Sequence, residues 1–124
     1  MDYFDSILWR KSMQLAELVV ALSRRLPREE RFGLRNQLTR AAVSIPSNVA
    51  EGWVRDSWRE KVNFLSIAHG SLAELHTQLL LCVRTGWLDP PAIETPCGLI
   101  DEIGRMLTAL KSKWRRMPPR PTTT

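Results

Sequence analysis

The sequence predicts an all-α protein, an antiparallel up-down-up-down four-helix bundle whose second helix is kinked at Pro46. Apolar residues recur at steps of three and four through four separate stretches, and no alternation long enough for a strand interrupts them. Proline, glycine and capping residues punctuate the chain between those stretches and leave only short connections. Four amphipathic helices with short loops must pack as antiparallel neighbours. A chain of 124 residues makes one domain with a self-sufficient core. Residues 1–117 are assigned to the bundle. Residues 118–124, Pro-Pro-Arg-Pro-Thr-Thr-Thr, have nothing to pack and are expected to form a disordered tail.

The first helix starts at an Asp5 or Ser6 N-cap and is stopped by Pro27. Leu8, Leu15, Val19, Leu22 and Leu26 form its stripe, widened by Trp9, Met13, Ala16 and Val20. Pro27-Arg28-Glu29-Glu30 reads as a turn into the second helix, which runs from about Gly33 to about Trp53. Its core face is Leu34, Leu38, Ala41, Ile45, Val49 and Gly52. Pro46 removes a donor and crowds the carbonyl of Ala42, which costs about 3 kcal/mol in an ordinary helix interior. Ser44, Ser47, Asn48 and Glu51 are the polar candidates to offset that cost. The stretch reads either as a kinked bundle helix or as a binding notch.

Ser57-Trp58-Arg59-Glu60 is a capping box that opens the third helix. Lys61, Leu65, Ala68, Leu72, Leu75, Leu79 and Cys82 make its seam, and Thr85-Gly86 closes it. Asp89-Pro90 supplies the next N-cap, and Thr95-Pro96 predicts a short first turn before the main run. Leu99 or Ile100, Ile103, Leu107, Leu110 and Trp114 define the fourth helix.

Composition is that of an ordinary globular protein, with 44% hydrophobic and 25% charged residues. The net charge of +5 and a sequence pI near 9.9 suit a polyanionic partner without requiring one. Cys82 and Cys97 do not make a disulfide framework. Neither a signal peptide nor a long apolar run is visible, so a cytoplasmic setting with no membrane contact is expected.

In an up-down bundle the charges sort by end, summing to about +5, +2 and −2 for one end, the other end and the middle. The basic end gathers Arg55, Arg59, Lys61, Lys111, Lys113, Arg115 and Arg116, which are the candidate phosphate contacts. Trp9, Trp53, Trp58 and Trp114 fall at that end too. Tryptophan beside arginine suits stacking on unpaired bases, a subunit interface, or a plug for the bottom of the core. All three stay open at this point.

The chemistry of an enzyme is missing, and none is expected. His69 and His76 stand seven residues apart, about 10.5 Å along a helix, too far to share one metal. No Glu-x-x-His pair, CxxC, phosphate loop or nucleophile elbow is present, so no cofactor is expected. Glu51 and Glu74 are the carboxylates placed nearest the inner surface, and Arg40 is within reach of Glu74 if the middle helices pack side by side.

Two stretches carry a resemblance. Arg40-Ala41-Ala42-Val43-Ser44-Ile45-Pro46-Ser47-Asn48-Val49-Ala50-Glu51-Gly52 resembles the hallmark of the four-helix-bundle proteins encoded in 23S ribosomal RNA intervening sequences. Gly70-Ser71-Leu72-Ala73-Glu74-Leu75-His76-Thr77-Gln78-Leu79, followed by Arg84-Thr85-Gly86-Trp87-Leu88, resembles a second family motif. Pro27 to Leu34 and Gln37-Leu38 match as well, so the resemblance covers about residues 4 to 115. His76 departs from it, since glutamate is often found there. The resemblance implies a homo-oligomer, a ring of five, with no enzymatic activity. The accessory proteins of diversity-generating retroelements look like distant relatives, which adds RNA or DNA and a protein partner to the expected ligands. It also gives the polar residues another role. Arg40, Ser47, Asn48, Glu51, Glu74 and Gln78 become candidates for a structural polar network that fixes register rather than adding stability. The function these readings support is a non-enzymatic oligomeric bundle that binds RNA or DNA through its basic end. A module docking an acidic protein partner is the alternative.

Overall fold

The computed structural model describes residues 2–30 and 32–118. It is all-helical, with four long helices and no strand among the described residues: α1 Ile7–Ser23, α2 Leu34–Val54, α3 Trp58–Arg84 and α4 Glu94–Arg115. Short 3-10 turns at Tyr3–Asp5, Arg28–Glu30 and Pro90–Ile93 lead into α1, α2 and α4. From residue 119 on, the expected tail lies outside the described residues.

Local chemistry accounts for the helix ends. Ser6 Oγ accepts from Trp9 N at 3.3 Å, and Ser57 Oγ accepts from Glu60 N at 3.3 Å, each satisfying a donor that its helix cannot. Gly86 ends α3 with φ +80°, the left-handed conformation that a side chain resists. Trp87 N then donates to Cys82 O at 2.9 Å and Gly86 N to Val83 O at 3.0 Å, the paired bonds of a Schellman stop. Pro96 falls inside the first turn of α4, where no intrahelical donor is needed, so it does not break the helix. Asp89 sits at the predicted N-cap position, but its side chain makes no cap bond.

Each helix packs on the next, and α4 returns to α1, so the four close around one core. Register is readable from side-chain contacts. Ser44 meets Ser71, while Gly52 and Trp53 near the end of α2 meet Lys61 near the start of α3. Trp114 at the end of α4 meets Trp58, and Gly104 lies by His69 and Leu72, so α2/α3 and α3/α4 run antiparallel. All six residues predicted for the core face of α2 are buried, as are all seven of the α3 seam. That seam includes Lys61. Two buried serines on α1 bond their own helix instead of demanding partners: Ser12 Oγ donates to Leu8 O and Ser23 Oγ to Val20 O, both at 2.7 Å.

Helix α2 is α-helical without interruption through Pro46, which is buried. Asn48 Nδ2 donates to Ser44 O at 2.8 Å and to Ser44 Oγ at 2.9 Å. Ser44 Oγ in turn lies 2.8 Å from Ser71 Oγ on α3. Among the described residues, none of the expected polar side chains bonds the Ala42 carbonyl that Pro46 leaves without its donor. The polar cluster joins α2 to α3; it does not repair the helix at proline.

Candidate nucleic-acid interface

The basic end is built around a plug of three tryptophans. Trp114 packs edge-on against Trp53 with ring centroids 5.7 Å apart and lies 6.2 Å from Trp58. Trp114 is only 8% exposed. These contacts bring the last turn of α2, the first turn of α3 and the last turns of α4 to one place. Of the three readings open for the tryptophans, the core plug describes Trp53, Trp58 and Trp114. Trp9 belongs to a separate aromatic group, its ring packed on Tyr3 and Phe4 at 5.6 and 5.1 Å.

Lys61 is a correction. It was expected as a phosphate contact, yet it is 5% exposed. Its Nζ donates to Trp53 O at 2.6 Å and to Gly52 O at 3.3 Å. The ammonium also lies 5.3 Å from the Trp114 ring and 5.7 Å from the Trp58 ring. A cation placed on the last carbonyls of a helix stabilises that end, and the indole rings complete its enclosure. Gly52 permits the approach of the two helices: a Cβ there would sit 3.1 Å from Lys61 O and 3.2 Å from Phe64 Cβ. Lys61 is therefore a fastener between α2 and α3.

The other six candidate contacts divide. Arg55 is tethered, with Nη2 2.7 Å from Glu51 Oε2 and its guanidinium 4.6 Å from the centre of the Phe64 ring. Lys111 is half-buried, with Nζ 3.0 Å from His69 Nδ1. Burial, then Arg115, holds the Lys111 ammonium below its ordinary pKa. Burial, then Lys111, does the same for His69. Arg59, Lys113, Arg115 and Arg116 are exposed at the Trp-plugged end, Arg116 donating to Ser112 Oγ at 2.7 Å. Those four keep cationic groups available to solvent.

The expected polar network is also corrected. Arg40, Ser47, Glu51 and Glu74 are exposed, so neither glutamate lies on the inner surface. Arg40 and Glu74 form no ion pair among the described residues. Glu51 pairs with Arg55, and Glu74 Oε1 accepts from Gln78 Nε2 at 3.2 Å. Asn48 belongs to the Ser44–Ser71 cluster. The six residues thus fall into small separate groups, because their helical spacing directs most of them outward.

Grooves also flank the core. Between α1 and α2, a groove of about 580 Å³ has Met13, Val20, Val43, Pro46, Ser47 and Ala50 among its walls. Between α3 and α4 runs a second groove of about 700 Å³ that holds both histidines. No group of three metal-ligating side chains assembles among the described residues. Burial raises both thiols, Cys82 with a further push from Glu30, the reverse of what a reactive thiolate needs. Among the described residues, no helix is long and apolar enough to cross a membrane.

Fold and basic end together define a small helical-bundle protein with an arginine-rich, tryptophan-plugged end. The chain belongs to the 23S rRNA-intervening sequence protein family, whose model matches residues 5–109. It is similar to the crystal structure of a protein of unknown function from the S23 ribosomal protein family of Bacteroides thetaiotaomicron. The TM-score is 0.79 at 26% identity, covering 85% of this chain and 98% of that one. No curated protein matches it.

Proposed function

We propose that the chain is a non-enzymatic, oligomeric, cytoplasmic bundle that binds RNA or DNA through its basic end. The observation that carries this reading is the convergence of Arg59, Lys113, Arg115 and Arg116, all exposed, around one rigid tryptophan plug. Cations gathered at one packed end neutralise phosphates and release their counterions. The plug commits Trp53, Trp58 and Trp114 to one another, so recognition rests on phosphate neutralisation more than on base stacking. In the ring of five that the family resemblance implies, a +5 protomer becomes roughly +25, a field that draws polyanions strongly.

Light scattering with absorbance at two wavelengths tests assembly and bound nucleic acid on one peak, and a salt titration tests the contact. Four phosphate contacts per protomer give a slope of log K on log salt of roughly −3 for a single strand. Binding that hardly weakens between low and moderate salt overturns the reading. The second reading is a module whose basic end docks an acidic protein partner without touching nucleic acid. An oligomer free of nucleic acid, with no salt-sensitive oligonucleotide binding, would move the weight there.

A further inference from the structure

We propose that the aromatic group of Tyr3, Phe4 and Trp9 is a stacking platform for an unpaired nucleobase, which makes single-stranded nucleic acid the substrate class of the basic end. The inference rests on the nucleic-acid reading above and adds what the four exposed cations cannot supply, since phosphates are common to single strands and duplexes. The rings stand at the right end of the bundle. Tyr3 and Trp9 line the α1–α2 groove together with Ala50, one turn before Trp53 of the plug. The 3-10 turn Tyr3–Asp5 contacts α2 as well as α1. Helix α1 therefore begins beside the end of α2, at the end of the bundle that carries Arg59, Lys113, Arg115 and Arg116.

The three rings differ in what they have left to offer. Tyr3 and Trp9 are half-buried, whereas Phe4 is 50% exposed. The Phe4 ring rests on Tyr3 and Trp9, with centroids 4.3 and 5.1 Å away, and its remaining surface is open to solvent. Its backbone is held as well. Asp5 N donates to Asp2 O and Ser6 N to Tyr3 O, both at 3.0 Å, and Arg10 Nε donates to Phe4 O at 2.9 Å. A base stacked on Phe4 thus extends an aromatic group that is already assembled. Charge decides which part of a nucleotide meets it. Asp2 and Asp5 flank the ring and are exposed, while the Arg10 guanidinium lies 3.9 Å from Asp5 Oδ1. Two carboxylates against one guanidinium turn a phosphate away towards the α4 cations and leave the neutral base as the group that Phe4 can take. The same carboxylates repel an acidic protein segment. A duplex keeps its bases stacked on one another and presents phosphates alone along its length.

The test measures the affinity of the full chain for three probes by fluorescence anisotropy at one salt concentration. They are an oligothymidylate strand, the same strand with abasic sites in place of its bases, and a duplex of equal length. Wild type is expected to bind the abasic strand about tenfold more weakly than the thymidylate strand. Phe4→Leu should weaken the thymidylate strand by about tenfold and leave the abasic strand, the duplex and the salt slope unchanged. Phe4→Trp should restore thymidylate binding, and light scattering should give both variants the wild-type mass. Equal affinity of wild type and Phe4→Leu for the thymidylate strand overturns the platform and leaves phosphate neutralisation standing. Equal weakening of all three probes, or a changed mass, also overturns it, because Phe4 would then support the fold or a contact between copies. Absence of salt-sensitive binding to any probe overturns both readings together.

Discussion

Lys61→Met removes the charge and the hydrogen bonds of a buried lysine while keeping most of its apolar stem. Trp53 O loses a donor at 2.6 Å, Gly52 O loses a bond of 3.3 Å while keeping the one from Arg55 N at 3.4 Å, and two indole rings lose a cation within 5.7 Å. Hydrogen bonds to a charged group contribute about 1.5–3 kcal/mol each, and the longer of these belongs at the low end. The methionine regains part by packing, since the ammonium no longer needs desolvation. A net loss of about 3 kcal/mol is expected, equivalent to a fall in Tm of roughly 9–15 °C for a domain of this size. Urea unfolding at one fixed protein concentration measures it, the concentration being held because assembly contributes to apparent stability. Nucleic-acid affinity under conditions where the variant is folded, and its salt slope, should stay at the wild-type values. A variant as stable as wild type, or a salt slope smaller by about one charge, would refute the assignment of Lys61 as a helix fastener.

Gly52→Ala places a methyl 3.1 Å from a backbone carbonyl and 3.2 Å from a Cβ, both fixed to α3. The clash outweighs the roughly 1 kcal/mol that alanine gains over glycine in a helix, and the urea midpoint should fall by an equivalent of about 1–2 kcal/mol net. Gly86→Ala meets no neighbour but must hold φ +80°, so a loss of about 1 kcal/mol in thermal melting is expected without any change in binding. For His69 the folded pKa lies below the unfolded value of 6.5. Its contribution to stability is therefore present above that value and lost as pH falls through the folded pKa. The urea midpoint should drop as pH falls below about 6.5, and His69→Gln should flatten part of that drop.

Helix existence, seams and stops were legible in the sequence because each is local. Ser6, Ser57 and Gly86 act through atoms within five residues, and the steps of three and four name the buried face without reference to any partner. Lys61 shows where local reading divides. Its place in the seam with Leu65 and Ala68 assigns it to the core, while its charge assigns it to the basic end, and nothing local says which prevails. The deciding groups are the carbonyls of Gly52 and Trp53, nine and eight residues earlier, which only the α2–α3 hairpin brings within reach. A lysine on a core seam just after a helical hairpin turn, facing glycine, is the signal that would have found it. The polar network failed for the converse reason. Residue type suggested partners, but Arg40, Ser47 and Glu51 recur at steps that follow the outer face of α2, and Glu74 faces outward from α3.

The hallmark stretch consequently performs two separable tasks. Ala41, Ala42, Ile45, Val49 and Gly52 are buried, and their small or branched side chains set how closely α3 can approach. Ser44 and Asn48 add a polar joint to Ser71 at the middle of the same interface, which penalises any slip of register because each member would lose its partner. The outward residues Arg40, Val43, Ser47 and Glu51 are used by neither task, and Val43 is half exposed on the wall of the α1–α2 groove. Burying a side chain of that size in an assembly contributes about 1.5 kcal/mol, whereas in the isolated bundle it contributes far less. Val43→Asp therefore separates the tasks: the monomer fold should melt as wild type, while any oligomer formed through this face dissociates. Equal loss of fold and assembly would return Val43 to the hairpin and leave the groove without a role in association.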